Sequence, residues 1–194
     1  MEDQNATAGQ IYASALRILE AEGPGTVSMR RIAGEVGITP MAIYHHFPNR
    51  EALLDQVVNT EFEKLAGFFG QTLNRVSFEG RLLHMMDGYM DYALAHPRIF
   101  DYVFSSPRPG ARQFPRDFRA RLSPTLNLIA DTIASGVKLK KLKRDDFWEI
   151  AMEFWAHTHG YLVLFRAGRF HLSETEFRKL VHRSLRRLIH GLIA

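Results

Sequence analysis

TVSMRRIAGEVGITPMAIYHHFPNREALL, residues 26–54, decides the fold. Ser28 precedes a short run, Met29 to Val36, and its hydroxyl can cap the free N–H groups of a helix there. Gly37 stops that run and supplies the positive φ that a tight turn between crossed helices needs. Thr39-Pro40 is a restart: a hydroxyl cap, then a proline at the first helical position, where no N–H is required. The third run reaches about His46 and is broken by Pro48-Asn49. Asn49 can cap a long fourth helix, with Glu51 near the positive end of its dipole. Two short helices joined by Gly37-Ile38-Thr39 are a helix-turn-helix. Ile32, Ala33, Val36, Ile38, Ile43 and Phe47 are expected to pack on a preceding helix, leaving Pro40, Met41, Tyr44 and His45 on a face free to enter a major groove.

Outward from this stretch the chain reads as helix throughout. Ile11, Ala15, Ile18 and Leu19 recur at three- and four-residue spacing, and Gly23-Pro24-Gly25 ends that first helix. Helices are expected over residues 79–95, 97–104, 116–135, 145–167 and 174–193, with a loop at 105–112 and a basic connection at 137–144. No repeat, low-complexity tract or strand pair is visible. The expectation is an all-α fold, with a three-helix helix-turn-helix domain over 1–50 and a helical body over 51–194.

Composition narrows the function classes. Hydrophobic residues at 46% support a sizeable core, and the absence of cysteine excludes disulfides, thiol nucleophiles and thiolate metal sites. That usage fits a reducing cytoplasm. The polar start, with Glu2 and Asp3, is not a signal peptide, and no apolar run approaches the ~20 residues of a membrane span, so no membrane partner is expected. The net charge of +4 permits nucleic-acid binding, yet it is unevenly placed. Residues 1–50 hold four arginines (Arg17, Arg30, Arg31 and Arg50) against five carboxylates (Glu2, Asp3, Glu20, Glu22 and Glu35), a balance of −1. The basic excess lies downstream, at 138–144 and Arg183–Arg187. A DNA-binding head of this kind works by placing a few arginines, not by bulk charge.

The segment resembles the DNA-binding signature of the TetR family over about residues 8–55. The likeness rests on Ile32-Ala33, Gly37-Ile38, Ile43-Tyr44-His45-His46-Phe47 and Asn49-Arg50-Glu51 leading to Leu53-Leu54. Two features depart from it: Pro48 stands where the family usually has a polar or basic residue, and Gly34 sits inside the second helix at a cost of ~1 kcal/mol against alanine. Arg30 is the candidate for a bidentate contact to guanine O6 and N7. Thr39, Pro40 and Met41 open the recognition helix, where short side chains can meet bases and thymine methyls. The resemblance makes Tyr44 a phosphate contact, while His45 suits base or phosphate. Arg50 would meet a phosphate beside free backbone N–H groups. Ser28 can cap, touch phosphate, or do both. Packing is the alternative for Tyr44 and His46, and a solvated surface charge the alternative for Arg31.

His96-Pro-Arg-Ile-Phe-Asp-Tyr-Val-Phe104 and the spacing from Trp155 to His159-Gly160 resemble a TetR-family C-terminal subgroup. That resemblance implies an effector pocket among the middle helices and a homodimer formed by the last two. The wide apolar faces of those two helices agree, since pairing two such hairpins about a two-fold axis gives a four-helix bundle and presents the heads to a palindromic operator in double-stranded DNA. The candidate effector residues are Phe69, Met86, Tyr89, Met90, Phe100, Phe104, Phe118, Trp155 and His159, an aromatic and methionine pool suited to a small, mostly apolar molecule. Ordinary core is the alternative for each. Binding there would shift the fourth helix and release the operator; the resemblance makes repression the default, and activation stays open beside it.

An enzyme is disfavoured: His157 and His159 point to different faces of a helix, and no nucleophile motif, phosphate loop or carboxylate pair appears. The same spacings disfavour a metal site, and no cofactor is implied. An interaction protein that lost DNA binding remains open, kept so by the −1 head and Pro48.

Overall fold

Each turn signal of residues 23–50 is realised. The computed structural model describes residues 2–70 and 77–193. Helix α1 spans Glu2–Glu22 and is followed by a 3-10 turn, Pro24–Thr26. Helix α2 (Met29–Val36) is capped by Ser28, whose side chain accepts from the Arg31 N–H at 3.3 Å, and it ends at Gly37 with φ 76°. Helix α3 (Pro40–His46) is capped by Thr39, which accepts from Ala42 N at 3.1 Å. Helix α4 (Arg50–Gly70) opens with Asn49 accepting from Ala52 N at 2.7 Å. Caps of this kind are worth about 1 kcal/mol each, a large share for helices of eight and seven residues.

The remaining helices are α5 (Phe78–Ala95), α6 (Pro97–Phe100, running into a wider π turn over Asp101–Ser105), α7 (Arg116–Arg119), α8 (Pro124–Lys138), α9 (Phe147–Arg166) and α10 (Glu174–Leu192). The described residues contain no strand; Leu142 and Ile193 form one isolated antiparallel bridge. One expected element differs. The helix anticipated over 116–135 is two, because Arg121 takes φ 61° and Ser123 caps a fresh start at Pro124, accepting from Leu126 N at 3.4 Å.

The chain forms two compact units, Met1–Phe62 with Leu94–Ala111 and Glu63–Ala93 with Arg112–Ala194. They do not follow the division at residue 50 read from the sequence. The start of α4 belongs with the head: Leu53, Leu54, Val57 and Val58 are buried there. Residues 94–111 return to it as well. Arg98 donates to the carbonyls of Glu20 and Ala21 at the end of α1, and Phe104 meets Phe62 edge-on at 5.0 Å. Ile11, Ala15, Ile18, Leu19, Ile32, Ala33 and Ile43 are fully buried, while Val36, Ile38 and Phe47 are half-buried. Burying an Ile or Leu is worth roughly 1.5–3 kcal/mol, so apolar packing holds the three-helix head together.

In the second unit α8 packs on α9 and α9 on α10. Helix α10 starts with a capping box, Ser173 and Glu176. It is tied to α5 by a row of polar side-chain contacts: Arg178 to Asp91, His182 to Asp87 and Arg186 to Glu79, at 2.7, 2.7 and 2.8 Å. Apolar residues fill the space beneath, among them Met85, Met86, Met90, Phe154, Phe177, Val181 and Leu185.

Candidate nucleic-acid interface and effector site

The exposed surface of α2 and α3 is where the head departs from a buried helix pair. Met41 is 72% and Tyr44 49% exposed. Ser28, Arg30, Thr39, Pro40 and His45 are exposed as well. Only Ile43 of α3 is fully buried, so the helix is held by one side and presents the other. His46 is half-buried, in keeping with a packing role.

The head's arginines divide sharply. Arg31 donates to Glu22 at 2.8 Å and to Glu35 at 3.3 Å. The hydrogen bond to Glu22 holds its guanidinium protonated well beyond the ordinary range. Arg17 pairs with Glu35, which also accepts from the Ser14 hydroxyl. These contacts hold the carboxyls of Glu22 and Glu35 below the ordinary carboxylate range: hydrogen bonding from Arg31 acts first at Glu22, and from Ser14 at Glu35. Arg31 thus forms an ion-pair latch between α1 and α2. Arg50 is engaged differently. Its Nε donates to Val27 O at 2.7 Å, another guanidinium nitrogen donates to Pro24 O, and Glu51 lies 3.7 Å away. It pins the 24–27 turn to the start of α4. Arg30 has no hydrogen bond or ion pair among the described residues, and it sits exposed on α2.

The second unit gathers part of the effector pool. The Trp155 indole N–H donates to the Tyr89 hydroxyl at 2.8 Å, and that hydroxyl shares a hydrogen bond of 2.9 Å with His159 Nδ1. Tyr89 is 2% exposed; burial pushes its phenol well above the ordinary range, so it is a neutral hydroxyl. Trp155 and His159 are half-buried. A line of rings runs outward from them, Trp155 to Phe118 at 6.4 Å and Phe118 to Phe114 at 6.0 Å. Phe114, 38% exposed, lies outside the set read from the sequence, and its four-residue spacing from Phe118 is the signal that could have found it.

Phe69, Met86 and Met90 are buried in this unit. Phe100 and Phe104 are not part of it. They belong to the first unit, 5.1 Å apart, where Phe100 is fully buried. His157 turns to α10, with Nε2 2.8 Å from Ser184 Oγ. Among the described residues no group of three or more His, Cys, Asp or Glu could hold a metal ion, and no helix is long and apolar enough to cross a membrane.

Comparison with known proteins places both parts of the chain. Residues 11–57 match the family model of bacterial regulatory proteins, tetR family, and residues 82–191 match that of the tetracyclin repressor-like C-terminal domain. No curated protein matches significantly. Among solved structures, one of unknown function from Rhodococcus sp. RHA1 is similar at a TM-score of 0.81 and 22% identity, covering 97% of this chain and 96% of its own. A TetR-family transcriptional regulator from Pectobacterium atrosepticum follows at 0.71 and 16%, covering 100% and 97%. A third, the flavonoid-responsive regulator FrrA, gives 0.67 and 20%, covering 97% and 98%.

Proposed function

Since the chain belongs to the TetR family of transcription regulators, which are DNA-binding and not enzymes, we propose that it is a repressor that binds a palindromic operator as a homodimer and is released by a small, mostly apolar effector. Family members bind DNA, typically as dimers with small-molecule effectors. The observation that carries the operator reading is the solvent-facing side of α2 and α3. There Met41 and Tyr44 stand exposed beside Thr39, Pro40 and His45, and Arg30 has no partner of its own among the described residues.

In this reading Arg30 reads a guanine edge, and Thr39, Pro40 and Met41 approach bases at the start of α3. Tyr44 and Ser28 hold phosphates, and His45 contacts either. Arg50 acts mainly from behind, by fixing the turn that ends at Val27, with its remaining N–H groups toward a phosphate.

The dimer reading is supported by the outer side of α9. Val163 and Leu164 are 43% and 48% exposed, Ala156 is exposed, and a Cβ at Gly160 would meet open space. Small and apolar residues at such spacings let a second copy of the helix approach closely, and a two-fold pairing would align two heads on successive major grooves.

The effector reading centres on Tyr89, Trp155, His159 and Phe118, with Phe69, Met86 and Met90 as apolar surroundings. Phe100 and Phe104 would respond through the head's side of the chain. The hydroxyl–indole–imidazole set beside aromatic rings suits an aromatic molecule bearing hydroxyl groups. The flavonoid response for which FrrA is named is in keeping with this class. Helix α4, continuous from Arg50 to Gly70, has residues in both units and would carry the shift. Such work on the genome belongs to the cytoplasm.

The test is a genome-fragment selection with purified protein at near-physiological salt. Recovery of a palindrome weakened by Arg30→Ala and Tyr44→Phe is expected. No enriched site, with salt-labile binding alone, would refute the operator reading of the ligand-free protein and favour the interaction-protein alternative.

A further inference from the structure

We propose that the segment 138–144 is a second DNA-binding surface, one that holds the phosphate backbone of duplex DNA without reading sequence. The proposal rests on the reading that the protein works on DNA.

Lys138, Lys140, Lys141, Lys143 and Arg144 place five cations within seven residues, and all five are exposed. None has a carboxylate partner among the described residues. The two acids that follow form no ion pair with them: Asp146 caps α9 and pairs with Arg119, and Asp145 accepts from the Asp146 N–H. Lys143 Nζ touches only the Gly191 carbonyl, at 3.2 Å.

From Leu139 to Lys143 every backbone N–H is already used. The N–H groups of Leu139, Lys140, Lys141, Leu142 and Lys143 donate to Ser135, Val137, Gly136, Gly136 and Leu192. Leu142 is buried and bridges to Ile193. Residues 139–143 therefore leave no amide nest for a single small anion. What remains is a rigid turn with side-chain charges pointing to solvent, a surface that fits an extended polyanion.

One residue is held there against its conformational preference. The turn is a Schellman motif in which Lys140 occupies the left-handed position at φ 56°, where glycine is usual. A side chain in this conformation is strained, and the Lys140 side chain is exposed. A lysine at that place points to a use for its charge.

Duplex DNA fits better than a lipid surface. Leu139 is the segment's one exposed apolar side chain, too small a face for insertion among acyl chains. The DNA-reading head meanwhile carries a balance of −1 over residues 1–50, with Arg17 and Arg31 already paired. It lacks the bulk positive charge that drives non-specific association by counterion release. The patch at residues 138–144 carries such charge. Arg183 and Arg187 are not part of it, since they lie on α10, one of the two helices proposed to pair in the dimer.

The test uses the full chain on a random-sequence duplex, with affinity measured between 50 and 200 mM salt. The variant Lys138→Gln/Lys140→Gln/Lys141→Gln/Arg144→Gln is expected to flatten the salt slope by about 0.9 for each phosphate it no longer neutralises. For four phosphates that is an extra fall of roughly 100-fold across the range in wild type that the variant lacks. Arg30→Ala should change the slope by no more than about one phosphate's worth. Lys140→Gly separates charge from folding: its thermal midpoint should rise while its affinity for random duplex drops by about 3-fold at the higher salt. A wild-type slope in the quadruple variant overturns the proposal while leaving the operator reading intact. Loss of binding to phosphatidylserine vesicles with an unchanged duplex slope also overturns it, in favour of a membrane surface. Failure of wild type to bind any duplex at 50 mM salt would overturn both.

Discussion

Replacing Gly136 with alanine should destabilise the protein, although alanine is the better helix former. A Cβ built on Gly136 would lie 2.6 and 2.9 Å from two ring carbons of Phe78 and 3.1 Å from Leu142 Cδ1. Carbon atoms pack at about 3.5–4.0 Å, so the Phe78 ring would have to retreat by about an ångström. It has little room, because Phe78 and Leu142 are only 8% and 4% exposed. Overpacking of this kind costs about 1–3 kcal/mol, against a gain of roughly 0.5–1 kcal/mol for removing a helical glycine. Gly34 is the matched control: it is also inside a helix, but its Cβ would meet nothing within 4 Å. Gly34→Ala should therefore show the gain alone, and the gap between the two variants isolates the steric cost at Gly136. Urea denaturation at fixed protein concentration measures it. With a slope of about 2 kcal/mol per molar, the two midpoints should differ by about 1 M. If Gly136→Ala unfolds at the same urea concentration as Gly34→Ala, the close approach of α8 to Phe78 is not what holds that corner together.

Gly88→Ala should be nearly neutral despite a Cβ distance of 2.5 Å to the Phe68 ring, since Phe68 is 41% exposed and can swing aside; a loss as large as that at Gly136 would contradict this. Arg30→Ala should weaken operator binding by about 1–3 kcal/mol and relax selection at one base pair, which a selection repeated with the variant reads directly. Tyr89→Phe leaves the Trp155 N–H without its acceptor and should lower stability by about 1 kcal/mol with a shift in tryptophan emission; unchanged emission and midpoint would remove the triad from the effector reading. Burial lowers the pKa of His157 below its ordinary 6.5, so between that value and the lower folded one the unfolded chain holds a proton that the folded chain does not. Its contribution is then fully present above pH 6.5 and lost as pH falls through that window, and His157→Gln should show a smaller loss of stability than wild type between about pH 7.5 and 5.5.

Local chemistry explains why so much of the head is legible in the sequence. Ser28, Gly37, Thr39-Pro40 and Asn49 act on backbone groups within four residues of themselves, and each does so in the structure. The break at Ser123-Pro124 carries the same signal as Thr39-Pro40, but apolar periodicity continues across it and masks it. Periodicity also fails to say which neighbour an apolar face meets. Phe100 and Phe104 look like companions of Tyr89 and Trp155 on paper, yet in the first unit Phe104 packs on Phe62 and Phe100 on Phe104. Arg50 is a case of distance along the chain: its partners lie 23 and 26 residues away, and no local pattern foretells a guanidinium seated on carbonyls. The pairing of α5 with α10 through Asp91, Asp87 and Glu79 spans up to 107 residues and is invisible in the sequence for the same reason.

The charge pattern gains meaning once partners are known. Four arginines in the first fifty residues look interchangeable on paper. In the fold Arg17 and Arg31 are bound to Glu35 and Glu22, and Arg50 is bound to the turn at 24–27. That leaves Arg30 as the head's arginine with its donors open among the described residues. A head with one open guanidinium and a balance of −1 gains little from attraction to DNA in general, so its binding should depend on the fit of α3 to particular bases. General attraction then has to come from elsewhere, and residues 138–144 hold the densest run of positive charge in the sequence, without a carboxylate partner among the described residues. The two properties should come apart under mutation. Changes at Arg30 should alter which sequence is selected with little change in salt dependence, and changes at 138–144 should alter salt dependence at constant selection. Joint loss of both from either set would mean that one surface performs both tasks.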